Sequence, residues 1–527
     1  MMCTAHARIG ALCMALLTFS VFIPAAAAIS VVVDSVVGID DLSCSTTNPC
    51  KTIAFASKQR GASVLLLRGV FNESTVYVTS VAYINISGSA TGSAALFDCS
   101  ARAGPAFSIA NSTIAISAMT FINCRNRGSR GGAVSATNSS VSLWNCTFAN
   151  NSAVSGGALS LDLGALVVGA CSFVGNAAGC PFFPNVNSTC FAWGGAIAAF
   201  ETASVDISRS TFVSNSVDFS MLNSTTQLAS AVGGGGCISV LFKFNVISTN
   251  LNFSGNSFLS CTATGFGNNS GFANSAQQST FYGVQLVNSF GGAVSVYLGV
   301  AAVTILDARN VVINFANNTC KSCNVSLNSG LGGNGYGGCV SLYIGSQSLD
   351  ALGLAPIATG PLLVTNFQGS IVGNSFTNSY AGNAGQSTSG DGSSSGSNVF
   401  GGSIAIVIGH YLYSGGTLTG RNAVTGDVRF LNSSIMVNSN TFNGSIAASA
   451  TYGTGPAGNS YGVNAYGGAL SINIGCYSYS YYMSQILGSI IVSSANFDIS
   501  NNVMTGCIVN SSTGKSYPKL QTPNSKP

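Results

Sequence analysis

The chain has 527 residues, of which only 6% are charged, and its formal net charge is +4. So weak a charge gives no basis for a nucleic-acid partner, and the scarcity of Glu, Lys and Arg argues against a helical protein. Beyond the N-terminus no run of 18 apolar residues occurs, so the sequence predicts no membrane-spanning helix.

Residues 1–28 have the composition of a secretory signal peptide. Arg8 supplies a positive charge, residues 9–24 are mainly apolar, and residues 25–28 are four alanines that suit cleavage. The mature chain is therefore expected to start near Ile29, and an uncleaved membrane anchor is the alternative.

Residues 29–110 are predicted to form an N-terminal cap and the first coils of a repetitive fold. A short helix over residues 53–59 is expected to cover the first coil. Asp40 and Asp41 are an adjacent acidic pair in this segment. We expect them to cap a turn or a helix, with metal binding as the alternative.

A repeated tetrapeptide dominates the chain from residue 131 onward. It reads Gly-Gly, a small residue, then a branched aliphatic residue, and its copies begin at Gly131, Gly156, Gly194, Gly235, Gly291, Gly337, Gly401 and Gly467. A short unit that cannot bury its own apolar face must stack on its neighbours, so the repeats predict a solenoid.

A second motif, Phe-x-x-Asn, follows the early copies. It begins at Phe148, Phe173, Phe212, Phe253 and Phe315, between short stretches with the period-two alternation of strands. The first two copies of each motif are 25 residues apart, which predicts one coil of about that length. We expect the Phe side chains to stack inside and the Asn residues to form corners, because Asn tolerates positive φ.

The two motifs together resemble the repeats of the chlamydial polymorphic outer membrane proteins and their eukaryotic look-alikes. The resemblance covers about residues 121–505. It implies an all-β, right-handed parallel β-helix of the pectin-lyase-like superfamily. Because no C-terminal transporter barrel is recognised, the resemblance supports the β-helix and not an autotransporter.

The motif spacing divides the rest of the chain. Residues 111–235 are predicted to be compact coils. In residues 236–510 the spacing grows, reaching 66 residues between Gly401 and Gly467. The added Gly/Ser/Asn-rich sequence predicts long loops leaving one corner, or an extra coil per repeat. Residues 511–527 are expected to be a disordered tail. An uncovered final coil predicts that the chain either stops short of a longer protein or meets a partner or a second copy at its C-terminal face, the last being end-to-end self-association.

The cysteines suggest an oxidising compartment. Cys44–Cys50 and Cys180–Cys190 are the favoured disulfides because each closes a short loop. Cys124, Cys146 and Cys171 are spaced by about one coil, which allows a Cys124–Cys146 or a Cys146–Cys171 bond, or a ladder of free thiols. Cys320 and Cys323 form a C-x-x-C pair for which a zinc or redox role is disfavoured.

Many Asn-x-Ser/Thr sequons are present, and a secreted chain would carry glycans on several of them. The candidate acceptors are Asn72, Asn85, Asn111, Asn138, Asn187, Asn223, Asn268, Asn324, Asn432 and Asn443.

The sequence predicts no catalytic, cofactor-binding or metal-binding residues. Only 14 acidic residues occur, and the single histidine after the leader, His410, has no catalytic context. Asp162, Asp206, Asp307 and Asp427 are scattered, and Asp206 is expected to form a surface ion pair with Arg209.

The candidate ligand contacts are Tyr477, Tyr479 and Tyr481, which alternate along one strand face. Packing beneath a long loop is the preferred interpretation of these tyrosines, and ligand contact is the alternative. The sequence therefore predicts a secreted or cell-surface, non-enzymatic scaffold for adhesion or for binding an extracellular glycan or protein, and a polysaccharide lyase or hydrolase is the alternative.

Overall fold

The chain folds into stacked parallel β-sheets. The computed structural model describes residues 29–512, except residues 42–43, 46, 60–61, 89–94, 180–188, 219–229, 244, 267–285, 300–305, 329–332, 346, 351–359, 384–385, 388–397, 410, 415–425, 451, 454–463, 475–476 and 481–488. The predicted signal peptide and residues 513–527 lie outside the described residues. The prediction of an all-β protein is confirmed, because strands are the main regular structure of the described chain and its one helix has four residues.

The largest sheet has 19 strands and two arms. Arm 1 contains Val76–Thr79, Phe107–Ala110, Ile238–Phe242, Val294–Leu298, Val340–Ile344, Ile404–Ile408 and Leu470–Ile474. Arm 2 contains Ile29–Asp34, Ala62–Arg68, Ile84–Gly88, Thr113–Ser117, Asn250–Ser254, Val312–Ala316, Gln368–Val372, Ser434–Asn438 and Asn496–Ser500. Three long strands pass through both arms, namely Val134–Trp144, Leu159–Gly169 and Ile197–Ser208.

Two further sheets follow the arms along the chain. The Phe sheet has 11 strands: Val70–Phe71, Ala95–Asp98, Met119–Ile122, Thr147–Ala149, Ser172–Val174, Thr211–Val213, Ser257–Leu259, Thr319–Lys321, Ser375–Thr377, Thr441–Asn443 and Val503–Thr505. The next sheet has nine strands: Arg125–Arg130, Ser152–Ser155, Ala177–Ala178, Ser216–Val217, Thr262–Phe266, Asn324–Asn328, Tyr380–Asn383, Ile446–Ala450 and Ile508–Ser512.

The longer repeats add smaller sheets. The outer sheet contains Thr189–Trp193, Ser230–Gly234, Leu286–Phe290, Gly333–Tyr336, Asn398–Phe400 and Asn464–Tyr466. A five-stranded sheet contains Val246–Ile247, Leu306–Arg309, Leu362–Thr365, Val428–Leu431 and Ile490–Ser493. The last two contain Gln347–Asp350, Tyr411–Ser414 and Tyr477–Ser480, and then Gln386–Ser387 and Tyr452–Gly453.

Each strand pairs in parallel with the equivalent strand of the next repeat. Phe148, for example, pairs with Phe121 on one side and with Phe173 on the other. We call one such repeat a rung. Because every rung contacts only its neighbours, the apolar core is one continuous column that no rung could build alone.

The Gly-Gly motif marks the entry into arm 1 and has a steric cause. Gly156 has a φ of +62°, a conformation that side chains with a Cβ disfavour. A Cβ on Gly157 would overlap the carbonyl oxygen of Gly195 in the next rung. The first glycine therefore turns the chain, and the second lets the rungs approach.

Phenylalanine rings stack through the core. Ring centroids of Phe121, Phe148, Phe173, Phe212 and Phe258 are 4.8–5.0 Å apart from rung to rung. This spacing matches the 4.7–4.9 Å between paired strands, so each ring packs directly on its equivalent.

The five Phe-x-x-Asn copies do not share one register, which corrects the sequence interpretation. Phe148, Phe173 and Phe212 belong to the Phe sheet, whereas Phe253 and Phe315 lie in arm 2. Both positions end a strand with an inward Phe and a corner Asn. Because both corners need an inward Phe followed by a corner Asn, the same tetrapeptide occurs at both.

Two buried columns of corner residues hold successive rungs together. In the first, the backbone N–H of Asn151 donates to Oδ1 of Asn176 (3.0 Å), and that of Asn176 donates to Oδ1 of Asn215 (2.9 Å). The second column continues through Asn256, Asn318, Asn374, Asn440 and Asn502. Each amide satisfies a corner N–H that no strand partner reaches.

A second apolar core lies between arm 1 and the outer sheet. Phe290, Tyr336 and Phe400 of the outer sheet stack with centroids 4.7 and 5.1 Å apart. Tyr297 of arm 1 packs on Phe290 at 5.2 Å. Arm 1 strands such as Val294–Leu298 are therefore buried on both faces, and part of the sequence predicted as loops forms a packed layer.

The N-terminal end is closed by a small cap. The helix spans Ile53–Ala56, shorter than the predicted 53–59, and buries Ile53 and Ala56. Asp40 accepts hydrogen bonds from the backbone N–H groups of Lys51 and Thr52, both at 2.9 Å, and from the Thr52 hydroxyl. Asp40 therefore fixes the segment just before the helix, whose N-cap is Thr52.

Candidate functional site

The outward face of arm 2 carries a column of polar side chains. In strand Asn250–Ser254, Leu251 and Phe253 point into the core while Asn252 points outward. Register places Asp206, Asn252, Asn314 and Ser370 side by side on consecutive rungs. We call these four residues the arm 2 ladder.

Hydrogen bonds fix the orientation of the ladder amides. Nδ2 of Asn252 donates to Oδ1 of Asp206, and Nδ2 of Asn314 donates to Oδ1 of Asn252, both at 2.8 Å. Both amides therefore point toward Asp206. This arrangement leaves the other carboxylate oxygen of Asp206 and the second N–H of each amide for a ligand.

A shallow depression of about 580 Å³ lies over this ladder. Its polar rim includes Ser204, Asn250 and Gln368, and its apolar surface includes Val167 and Val312. The volume falls within the range of small-ligand sites, about 300–1,000 Å³. Outward polar groups with interspersed methyl groups suit a ligand that has both hydroxyl groups and C–H faces.

An exposed tryptophan lies in the next outward column. Trp144 is 46% exposed, and the Arg209 guanidinium lies 5.2 Å from the centre of its ring. Register pairs Trp144 with Gly169, and Gly169 with Ser208. A Cβ on Gly169 would overlap the indole ring, so this glycine lets the ring lie flat on the sheet.

The predicted ion pair between Asp206 and Arg209 is wrong. Asp206 is bonded to Asn252, whereas Arg209 lies at a corner with a φ of +49° and packs on Trp144. The two residues are three apart in sequence, but the corner turns Arg209 away from the outward column.

The other three aspartates considered in the sequence each form an ion pair with a separate arginine. Asp162 pairs with Arg130 at 3.3 Å, Asp307 with Arg309 at 2.6 Å and Asp427 with Arg429 at 2.9 Å. Hydrogen bonds from the Ser489 backbone and from Arg429 lower the pKa of Asp427. In the described part of the chain, no three His, Cys, Asp or Glu side chains are grouped as a metal site.

Glu73 was missed by the sequence reasoning. Its carboxylate accepts hydrogen bonds from the backbone N–H groups of Ile53 (2.7 Å) and Ala54 (2.8 Å) at the start of the helix. Burial raises the pKa of Glu73 despite these bonds. We assign it to the N-terminal cap, because both of its bonds hold the helix in place.

The cysteines divide into bonded and free groups. Disulfides join Cys44 to Cys50, Cys99 to Cys124, Cys237 to Cys261, and Cys320 to Cys339. Cys320 is thus bonded to Cys339 and not to Cys323 of its C-x-x-C motif. Cys323 is a free thiol, and its burial raises its pKa to about 12. Cys180 lies outside the described residues, as does the Cys190 side chain.

Cys146 and Cys171 are buried thiols, so the disulfide alternatives proposed for them are corrected. Cys124 lies at the corner after the Phe sheet and bonds to Cys99, whereas Cys146 lies at the corner after arm 2. The Cys171 sulfur accepts the backbone N–H of Cys146 at 3.3 Å. Cys171 therefore lies in the corner column that asparagines occupy in the rungs from Asn256 onward. Their mutual hydrogen bond raises the pKa of Cys146 and lowers that of Cys171.

The predicted tyrosine contacts are only partly described. Strand Tyr477–Ser480 pairs with Tyr411–Ser414, which places Tyr477 beside Tyr411 and Tyr479 beside Tyr413. Tyr481 and His410 lie outside the described residues. The backbone therefore gathers four tyrosines in two columns of a three-stranded sheet.

The candidate glycosylation sites differ in exposure. Asn72, Asn111, Asn138, Asn432 and Asn443 are exposed, whereas Asn85 and Asn324 are half-buried. Asn187, Asn223 and Asn268 lie outside the described residues. Nδ2 of Asn138 also donates to Oδ1 of Asn111 at 2.8 Å, so the side-chain amides of these two candidate acceptors are hydrogen-bonded to each other.

Comparisons with known proteins give no relatives. No family model, curated protein or solved structure matches the chain. Across the described residues, no helix is long and apolar enough to cross a membrane.

Proposed function

We propose that this chain is an extracellular, non-enzymatic scaffold whose rungs close into a right-handed parallel β-helix and whose arm 2 ladder binds a glycan. Parallel pairing from rung to rung supports the closed helix, and four disulfides among the described cysteines support an oxidising compartment. The handedness rests on the repeat resemblance.

The observation that carries the binding proposal is the oriented ladder within the depression. A glycan presents hydroxyl groups that donate and accept hydrogen bonds. Asp206 offers an acceptor, and Asn252 and Asn314 offer amide donors in the same column. Because the ladder residues lie on consecutive rungs, an extended chain could contact several of them along the stack.

The apolar surfaces suit the C–H faces of sugar rings. Val167 and Val312 are 39% and 37% exposed beside the ladder, and Trp144 offers a flat ring in the next column. Because Asp206 is the one carboxylate among the described lining residues, we propose a neutral ligand. A hydrolase would need a second carboxyl group about 5–9.5 Å away.

The test is a glycan-array screen of the secreted protein, followed by titration of the best neutral oligosaccharide. Asn314→Ala is expected to weaken binding about tenfold, because one charge-free amide contact contributes about 1.4 kcal/mol. The matched control is Asn366→Ala, which removes a similar amide pair (3.0 Å to Asn310) from a corner outside the depression.

Two results would contradict the proposal. Equal loss of binding in both variants would show that the ladder is not the site. Cleavage of a bound polysaccharide that Asp206→Asn abolishes would favour the alternative, a lyase or hydrolase.

A further inference from the structure

Asn145 begins a sequon that lies outside the candidate set named above. The sequence Asn-Cys-Thr from Asn145 to Thr147 supplies the acceptor amide and the hydroxyl group two residues later that N-glycosylation requires. Asn145 is exposed at the corner after arm 2 with a φ of +52°, and its backbone N–H donates to the Gly169 carbonyl at 3.0 Å. Its side-chain amide makes no hydrogen bond to a described residue, so Nδ2 is available to carry a sugar.

The neighbouring rungs leave space around this amide. Ala118 and Ala170 occupy the same corner position one rung before and one rung after Asn145, both with a φ of +51°. Each presents only a methyl group beside the Asn145 side chain. At the corner between the two arms the situation differs, because Asn111 and Asn138 lie on adjacent rungs and bind each other.

An exposed aromatic ring lies directly beside the acceptor. Trp144 precedes Asn145 in the chain, so their Cα atoms are about 3.8 Å apart. The indole ring is 46% exposed and lies over Gly169, which gives it room because a Cβ there would overlap the ring. A flat apolar ring of this kind can pack against the C–H face of a sugar while its N–H faces water.

Arg209 adds hydrogen-bond donors to this surface. Its guanidinium lies 5.2 Å from the centre of the Trp144 ring and makes no ion pair with a described residue. Its φ of +49° is a conformation that residues other than Gly and Asn disfavour, so the corner holds Arg209 at a conformational cost. The guanidinium N–H groups can donate to the hydroxyl and acetamido oxygens of a sugar on the ring.

We propose that Asn145 carries an N-linked glycan whose first N-acetylhexosamine packs on Trp144 and accepts hydrogen bonds from Arg209. The inference rests on the extracellular placement in the proposed function. In the transfer, Nδ2 of Asn145 forms a bond to C1 of a lipid-linked oligosaccharide diphosphate. The C1–O bond to the diphosphate breaks, the lipid diphosphate leaves with the electron pair, and Nδ2 loses one proton. Because the transfer takes place on the unfolded chain, the folded structure has only to accommodate the sugar.

The attached sugar leaves the arm 2 ladder open. Register places Trp144 two rungs before Asp206 and in the next outward column. The chain's own sugar therefore covers the Trp144 ring, whereas a ligand keeps the ladder from Asp206 to Ser370 and the methyl groups of Val167 and Val312.

The experiment uses the secreted full chain from a glycosylating cell, with Thr147→Val and Thr147→Ser as a matched pair. Valine keeps the branched shape of threonine but removes the hydroxyl group of the sequon, whereas serine keeps that hydroxyl. We expect glycopeptide mass spectrometry to find a glycan at Asn145 in the wild type and in Thr147→Ser, and an unmodified Asn145 in Thr147→Val.

Tryptophan fluorescence then reports whether the sugar packs on the ring. Trp144 and Trp193 are the two tryptophans of the chain, and Trp193 is only 3% exposed, so quenching by acrylamide measures access to Trp144. The quenching constant should be about twofold larger in Thr147→Val than in the wild type, since a sugar covers one of the two faces of the ring. Thr147→Ser should match the wild type.

The other outcomes overturn the proposal. An unmodified Asn145 beside a modified Asn432 would exclude the site, and equal quenching in the glycosylated wild type and in Thr147→Val would exclude packing on Trp144. No glycan at any sequon would exclude the site and also count against the extracellular placement. If Thr147→Val does not fold, judged by its β-sheet circular dichroism, Asn145→Gly replaces it. Binding to the ladder is measured separately, so either proposal can fail alone.

Discussion

At the residue scale, each rung depends on a few positions whose chemistry repeats. An inward Phe fills the core, a corner Asn accepts backbone N–H groups, and paired glycines allow the backbone of the next rung to approach closely. Phe173 shows the first of these roles, because its ring is fully buried between Phe148 and Phe212 at 4.9 and 4.8 Å.

We expect Phe173→Ala to lower the free energy of unfolding by about 3–5 kcal/mol, since it removes a buried ring and leaves a cavity between two stacked rings. Denaturant unfolding of the secreted protein measures this change. Phe191→Ala is the control, because Phe191 is 45% exposed and should cost less than about 1 kcal/mol. Equal costs would place Phe173 outside the core.

At the scale of the element, the corner column is a unit that tolerates several residue types. Cys171, Ser210 and Asn256 occupy equivalent positions, and each accepts the backbone N–H of the preceding rung, the first two bonds being 3.3 and 3.1 Å. Ser210 donates to a carbonyl of its own rung, Ser208 at 3.0 Å, whereas the longer Asn256 side chain donates to Ile207 of the preceding rung at 2.8 Å.

The column predicts a graded series at Asn318. Its Oδ1 accepts from the backbone N–H of Asn256 at 2.9 Å, and its Nδ2 donates to the Phe253 carbonyl at 2.9 Å. Asn318→Ala leaves both buried groups unsatisfied and should cost about 2–4 kcal/mol. Asn318→Ser keeps an acceptor, as Ser210 does, and should cost about half as much.

Thermal or denaturant unfolding of the two Asn318 variants tests this order. The neighbouring Asn317, exposed at the same corner, provides the control Asn317→Gly, which keeps positive φ accessible and should change stability little. If the serine variant is as unstable as the alanine variant, acceptance of the Asn256 N–H is not the main role of the side chain.

At the scale of the whole molecule, the sequence predicted the repeating parts better than their arrangement. The Gly-Gly motif identifies arm 1 because its steric cause is local to each rung. The outer sheet was missed because its strands lie in Gly/Ser/Asn-rich sequence, where only Trp193, Phe290 and similar single aromatics mark burial. The arm 2 ladder was missed because Asn252 and Asn314 are 62 residues apart, and only strand register brings them together.

In a stack whose rungs contact only their neighbours, a local loss of structure should spread only to adjacent rungs. Asp40 holds the N-terminal cap through three hydrogen bonds to Lys51 and Thr52. We expect Asp40→Ala to loosen the cap and to raise amide hydrogen exchange at least tenfold in strands Ile29–Asp34 and Ala62–Arg68. Strands from Leu159 onward should keep their wild-type rates, because several intact rungs separate them from the cap.

Hydrogen exchange read by mass spectrometry resolves these segments. Asp162→Ala is the matched control, since it removes an exposed pairing with Arg130 in mid-stack, and exposed ion pairs contribute only about 0–1 kcal/mol. It should leave exchange in the N-terminal strands unchanged. Faster exchange along the whole stack in Asp40→Ala would contradict the nearest-neighbour picture, because it would require the rungs to open as one cooperative unit. A local effect would instead mean that the cap protects an edge, while the rungs beyond it are stabilised by their own neighbours.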